Sequence, residues 1–167
     1  MDYDQLAKEF LRALRGKRSQ VAWSRRLGYR SNVAYTWEKG RRWPTAAETF
    51  RAAARNGVDL DAALRKFFGT ASPEWLDEYN LTTARAVAAL LDEMRGNTAI
   101  VDLAKRTGIS RYAISRWLTA QTEPRLPDFF RLFEASSTRL LDLVCALVGA
   151  DELPTVAEQV RLQELRR

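Results

Sequence analysis

The chain repeats itself with a period of 80 residues, and the two copies align without a gap. Twelve positions are identical between residues 11–69 and residues 91–149. The identical pairs are Leu11/Leu91, Arg15/Arg95, Gly16/Gly96, Val21/Val101, Arg26/Arg106, Gly28/Gly108, Trp37/Trp117, Pro44/Pro124, Phe50/Phe130, Arg51/Arg131, Leu60/Leu140 and Gly69/Gly149. A period of this length indicates one small domain used twice, rather than a solenoid of short units. We therefore expect the activity of the unit to occur at two places in the molecule.

The repeat divides the chain into four segments. We predict a first domain at 1–70, a short packed linker at 71–80, a second domain at 81–150 and a helical tail at 151–167. Units of about 70 residues are near the lower limit for an independent core, so we expect the two domains to touch. Trp75, Leu76 and Tyr79 of the linker are expected to pack the domains together. The tail has few apolar residues, which predicts an amphipathic or fraying helix.

The composition argues against several classes of protein. The chain has no histidine and a single cysteine, so the commonest general base is missing and a zinc site is excluded. Cys145 lies in an apolar run, which favours an inert core thiol. No Gly-rich phosphate loop is present. We therefore expect no enzymatic activity, no metal, no cofactor and no small-molecule ligand.

The sequence shows neither an amino-terminal leader nor an apolar stretch long enough to span a membrane, so we expect no membrane association. The predicted location is the cytoplasm, in association with the nucleoid.

Positive charge collects in the same part of both units. Residues 15–44 contain nine Lys and Arg against one acidic residue, and residues 95–125 contain six against two. A surface that is merely soluble usually mixes its signs. The distribution therefore favours a polyanionic partner.

Helical periodicity runs through the whole chain and predicts an all-α fold with five helices in each unit. In the first unit we expect helices at 3–14, 20–27, 31–39, 45–55 and 60–68. Ser19 and Asp59 are the expected N-caps of the second and fifth of these. In the second unit we expect helices at 83–94, 99–106, 110–118, 127–135 and 138–148.

The second and third helices of each unit carry a recognisable pattern. Residues 102–117 read DLAKRTGISRYAISRW, and residues 37–44 read WEKGRRWP. Both runs resemble the Cro/C1-type (XRE-like) helix-turn-helix family, and the resemblance covers about 140 of the 167 residues. It implies two tandem five-helix domains of the lambda-repressor-like fold. In such a domain Gly108 makes the turn, Ser110 caps the recognition helix, and Ile114 and Trp117 anchor that helix to the core.

The resemblance also implies roles for individual residues, because a recognition helix presents its first turns to base edges in the major groove. The recognition helices would be 31–39 and 110–118. The implied base-reading residues are Arg30, Ser31, Asn32, Thr36, Ser110, Arg111, Tyr112 and Arg116. Asn32 would contact adenine, and Arg111 or Arg116 would contact guanine. The implied phosphate-binding residues are Lys17, Arg18, Gln20, Lys39, Arg41, Arg42, Lys105 and Arg125.

Each unit departs from the family pattern in a different way. The first unit has Arg30 where the family usually has a capping Ser or Thr. The second has Ile100 at the position of the phosphate-binding Gln20, and residues 118–120 read LTA in place of Glu-x-Gly. These differences lead to the hypothesis that the first unit mainly grips the DNA backbone and the second mainly reads bases.

The predicted function is that of a sequence-specific transcriptional regulator that binds double-stranded DNA. Several alternatives stay open. One is a protein-docking helix-turn-helix module, antitoxin-like or an anti-activator, in which only one unit contacts nucleic acid. A second is an RNA-binding protein. Formation of a homodimer, or binding of a protein partner through the linker or the tail, is compatible with each of these functions.

Overall fold

The structure, a computed structural model, describes residues 1–166; Arg167, the last residue of the predicted tail, lies outside the described residues. The α-helices are α1 (Tyr3–Arg15), α2 (Gln20–Arg26), α3 (Val33–Glu38), α4 (Ala46–Arg55), α5 (Leu60–Phe68), α6 (Ala84–Arg95), α7 (Ile100–Thr107), α8 (Arg111–Leu118), α9 (Leu126–Ser136), α10 (Leu140–Leu147) and α11 (Pro154–Leu165). Three short 3₁₀ helices lie at Gly69–Ala71, Glu74–Asp77 and Ala150–Glu152. Residues 1–166 contain no β-strand, so the all-α prediction is confirmed.

Side-chain capping marks the start of α1 to α6 and of α8, whereas α7, α9, α10 and α11 begin without it. Every helix of the two repeats begins and ends within two residues of its predicted bounds. The side chains of Ser19 and Asp59 accept hydrogen bonds from backbone N–H groups of the first turns of α2 and α5. Thr45 and Glu48 form a reciprocal capping box at the start of α4. No helix in the described part of the chain is long and apolar enough to cross a membrane.

The two halves of the molecule share one hydrophobic core. Helix α1 of the first half packs on α9 of the second, and α6 packs on both α9 and α4. The rings of Phe10 and Phe130 meet edge to face with centroids 5.8 Å apart. Phe50 and Phe129 make a similar contact at 5.5 Å. These four side chains are nearly inaccessible to solvent, so each half completes the core of the other.

The halves also meet at a short antiparallel bridge between Thr45 and Arg125, just before α4 and α9. The N–H of Ala46 donates to the carbonyl of Pro124, and the N–H of Leu126 donates to the carbonyl of Pro44, both at 3.0 Å. Helices α5 and α10 pack directly against each other.

The linker and the tail are both tied to this core. Leu76 of the linker is buried, and the Trp75 ring packs edge to face on Phe68. At the start of the tail, Leu153 and Val156 are fully buried, and α11 lies against α1. Leu76 and Val156 are 80 residues apart, so the buried position of the linker recurs in the tail.

Candidate nucleic-acid interface

In the first half, α2 and α3 are joined by a tight turn and by a buried serine. Gly28 has a φ of 93°, a conformation that a glycine adopts without strain. Ser24 on α2 is almost fully buried; its hydroxyl accepts the N–H of Ala34 at 3.0 Å and donates to the carbonyl of Gln20 at 2.8 Å. A larger side chain at position 24 would push α3 away, so Ser24 allows the two helices to lie close together.

An aromatic cluster packs against the core-facing side of α3. The Trp37 ring meets Trp23 and Tyr29 edge to face at 5.9 and 5.7 Å. The Tyr29 hydroxyl donates to the Glu48 carboxylate at 2.7 Å, and burial together with this bond raises the pKa of Tyr29 to about 12. Trp23 and Trp37 are core residues, which leaves only the opposite face of α3 open to a partner.

An ion pair ties the end of α3 to α1. The buried carboxylate of Glu38 accepts two hydrogen bonds from Arg15, each at 2.9 Å, and one from Arg12 at 3.3 Å. The bond to Glu38 raises the pKa of the Arg15 guanidinium. The equivalent residue of the second half is Leu118, so this tie exists in the first half only.

The second half builds the same helix pair with different residues. Gly108 ends α7 in the left-handed conformation, with a φ of 76°. The Ser110 hydroxyl accepts the N–H of Ala113 at 3.1 Å and so caps α8. Ile114 is fully buried and Trp117 nearly so. These two residues hold one face of α8 in the core and leave the other face in solvent.

The structure places most of the predicted base-reading residues on the solvent side of the two helix pairs. Arg30 and Ser31 are exposed in the turn before α3, whereas Thr36 is half-buried in the middle of that helix. Ser110, Arg111, Tyr112 and Arg116 are all exposed at or on α8. Tyr112 is 64% exposed; Arg111 lies over its ring at 5.0 Å and donates to its hydroxyl at 3.1 Å.

Asn32 has a structural task that the sequence did not indicate. It is the N-cap of α3, and its side-chain oxygen accepts the N–H of Tyr35 at 3.2 Å. It also lies 3.3 Å from the Ser24 hydroxyl. A bidentate contact to adenine needs that same oxygen as an acceptor together with the amide NH₂ as a donor. The geometry therefore favours a capping role for Asn32.

The predicted phosphate-binding residues lie mainly in exposed loops. Lys17 and Arg18 precede α2, Gln20 is its half-buried first residue, and Lys39, Arg41 and Arg42 follow α3. Lys105 is exposed on α7. Arg125 is exposed but donates to the carbonyl of Trp43 at 2.9 Å, which ties it to the opposite half of the molecule.

Among residues 1–166, the predicted phosphate-binding cations share the absence of a salt bridge with several other arginines, such as Arg30 and Arg116. Arg12, Arg15, Arg65, Arg95, Arg131 and Arg139 each form a salt bridge with Asp or Glu. Within residues 1–166, none of the predicted phosphate-binding cations forms one. Their charge is not neutralised by a neighbouring carboxylate and is available to an external anion.

Two arginines at equivalent positions of the repeat form hydrogen bonds to the backbone of their own half. The guanidinium of Arg26 donates to the carbonyl of Arg55 at 3.2 Å, and that of Arg106 donates to the carbonyl of Ala135 at 3.1 Å. Each bond ties the second helix of its half to the end of the fourth. The identity of Arg26 and Arg106 in the repeat thus has a structural reason.

Sequence reasoning missed Tyr35. This residue is 40% exposed on α3, and the charged groups of Lys39 and Arg41 each lie 5.7 Å from the centre of its ring. The signal was present, since Tyr35 precedes Lys39 by one helical turn. The three residues form an exposed aromatic and cationic cluster at the end of α3.

The comparisons with known proteins add no relationship to this geometry. No family model, curated protein or solved structure matches the chain.

Proposed function

We propose that this protein is a sequence-specific DNA-binding transcriptional regulator with two Cro/C1-type helix-turn-helix units. The recognition elements would be α3 with the turn before it, and α8. Each would enter the major groove of double-stranded DNA with its solvent-facing side chains against base edges.

One observation carries the proposal: α8 packs one face against the core and exposes polar side chains on the opposite face. Ile114 and Trp117 are in the core, whereas Arg111, Tyr112 and Arg116 project into solvent. A single α-helix fits the width of a major groove, and the exposed side chains of α8 provide hydrogen-bond donors for base edges. The same anchoring recurs at α3 through Ala34 and Trp37.

The unpaired cations support a phosphate-binding role for the surrounding loops. Lys39, Arg41 and Arg42 follow α3, and the equivalent residues of the second half are Thr119, Gln121 and Thr122. The difference supports the division of labour in which the first half contributes most of the backbone contacts. In the second half, Arg111 and Arg116 take the larger share of base reading.

Selection of binders from a pool of randomised duplex DNA, at near-physiological salt, tests this function. Enrichment of one motif is the expected result. In the Arg116→Ala variant, affinity for that motif should fall about 5- to 150-fold, since a bidentate contact to guanine contributes roughly 1–3 kcal/mol. The preference at one base pair should relax at the same time.

Two further variants separate base reading from charge. Arg161→Ala removes the same charge from an exposed position on α11, outside both helix pairs, and should leave the preference unchanged. Lys39→Ala should weaken binding to all sequences about equally and make the salt dependence shallower. A loss of base preference in Lys39→Ala, with a uniform loss in Arg116→Ala, would contradict the assigned roles.

A second candidate function is protein docking by the second half, and the exposed Tyr112 favours it. Tyr112 on α8 is 64% exposed, whereas Val101 on α7 is 47% exposed and its equivalent in the first half, Val21, is 48% exposed. Ile100 replaces the phosphate-binding residue of the first half, and the N-cap of α7, Ala99, provides no side-chain cap. Binding of this half to a neutral protein surface would be nearly independent of salt, unlike binding to DNA.

A further inference from the structure

The bridge between the two halves has the symmetry of a two-fold axis. Ala46 donates to Pro124, and Leu126 donates to Pro44. Because 46 and 126 are equivalent in the repeat, as are 44 and 124, the halves exchange the same pair of bonds. A translation that carries the first half onto the second would not return the second onto the first, so this reciprocity requires a rotation.

The helix contacts obey the same symmetry. Helices α5 and α10 are equivalent and pack on each other, as do α4 and α9. The contact of α1 with α9 is matched by the contact of its equivalent, α6, with α4. The molecule is therefore arranged as a two-fold dimer whose two subunits are joined in one chain.

The two reading surfaces related by this axis are chemically different. Positions 30–36 read RSNVAYT, and the equivalent positions 110–116 read SRYAISR, with no identity. The first surface presents Arg30, Ser31 and Tyr35, and the second presents Arg111, Tyr112 and Arg116. Equivalent positions on the two surfaces would therefore meet different bases.

We infer that one chain alone is a complete reader of two half-sites that lie in inverted orientation and differ in sequence. This rests on the proposed function. A protein with two-fold symmetry matches the two-fold symmetry of the DNA backbone, so its half-sites are inverted rather than direct. The unlike surfaces fix the direction in which the chain sits on the site. Since the subunits are linked covalently, occupancy rises with a Hill coefficient near 1 and needs no prior dimerisation.

The experiment combines selection, stoichiometry and a transplanted surface in the full chain. Duplexes are selected from the randomised pool, and the mass of the complex with the enriched duplex is measured by sedimentation. The expected result is one chain on two inverted, unlike half-sites. The same selection is then run on a variant carrying Arg30→Ser, Ser31→Arg, Asn32→Tyr and Thr36→Arg, which gives the first half the reading residues of the second.

This variant should select a perfect palindrome, made of two copies of one wild-type half-site. The incoming Ser at position 30 supplies the cap that is lost with Asn32, as Ser110 does for α8. If the four substitutions together unfold the chain, Thr36→Arg alone serves as the second variant. It should alter only one half of the selected site.

The outcomes separate this inference from the proposed function. Direct half-sites, a palindrome for the wild-type chain, or two chains on each site would overturn the inference and leave DNA reading intact. Failure of both the wild-type chain and the variants to enrich any motif would overturn the proposed function, and the inference with it.

Discussion

The shared core predicts that a truncation in one half destabilises the whole molecule. Phe130 belongs to the second half, is 2% exposed, and meets Phe10 of the first half at 5.8 Å. Phe130→Ala removes this ring from a contact that both halves need.

The loss in free energy of unfolding follows from the burial of the Phe130 ring and from its edge-to-face contact. Replacing a buried Phe by Ala costs about 3–5 kcal/mol, because apolar contacts are lost and a cavity remains. An edge-to-face pair contributes about 0.5–1.5 kcal/mol beyond its buried area. Phe10→Leu and Phe130→Leu keep most of the side-chain volume, and each should cost less than about 1.5 kcal/mol. Their double-mutant cycle should therefore show a coupling of about 0.5–1.5 kcal/mol.

Unfolding in urea, followed by tryptophan fluorescence, measures the effect in the distant half. Four of the five tryptophans lie within residues 1–80, and only Trp117 lies beyond. Phe130→Ala should shift the whole fluorescence transition as one cooperative step. Val101→Ala, at a position 47% exposed, is the control and should shift it little. Two separate transitions, with the tryptophans of the first half unaffected by Phe130→Ala, would refute the shared core.

Three other predictions follow from local contacts. Glu38→Gln should lower the free energy of unfolding by about 1–3 kcal/mol, since Arg15 loses charged hydrogen bonds; urea unfolding measures this, and an unchanged midpoint would contradict it. Ala120→Gly should raise the melting temperature by relieving about 1 kcal/mol of strain, because Ala120 has a φ of 60°; a lower melting temperature would contradict this. The free energy of unfolding should fall as the pH rises from about 10 to 12. The reason is that Tyr29 ionises near pH 10 in the unfolded chain, whereas its pKa in the folded protein is about 12. The decline in unfolding free energy over this range should be shallower in Tyr29→Phe, and an equal slope would remove Tyr29 as a cause.

Local signals made the helix bounds predictable. The fifth helix begins at Leu60 and ends at Phe68 as expected, because Asp59 caps its start and Gly69 follows its end. The third helix begins at Val33 instead of Ser31, since Asn32 and not an earlier residue supplies the cap. The family pattern places this cap at position 30, where the chain has Arg30, and so predicts a start at Ser31.

The arrangement of the two halves was beyond the sequence. A period of 80 residues is equally compatible with a translation and with a rotation between the copies. Phe10 and Phe130 each lie on the apolar stripe of a helix, and that stripe does not state which half will cover it. The reciprocal bonds around Thr45 and Arg125, together with the packing of α5 on its equivalent α10, establish the two-fold arrangement.

The candidate site was predictable by class of residue, though not always by role. Exposure of Arg111, Tyr112 and Arg116 follows from the anchors on the opposite face of α8. The inward use of Asn32 could not be read from the sequence, because it depends on the turn that brings its side chain over the start of α3. The sequence places Lys39 one helical turn after Tyr35, but the contact of Arg41 with that ring depends on the loop that folds back after α3.

The salt dependence of its affinity for duplex DNA shows whether this protein binds DNA through its exposed cations. The affinity of the full chain for a mixed-sequence duplex of about 30 base pairs is measured by fluorescence anisotropy between about 50 and 200 mM salt. Each phosphate neutralised contributes about −0.9 to the slope of log K against log salt, so four or more contacts predict a slope of about −3.6 or steeper. An affinity that does not change with salt, or no binding at the lowest salt, would contradict the proposed DNA-binding function. The predicted phosphate-binding cations would then have no duplex-DNA partner.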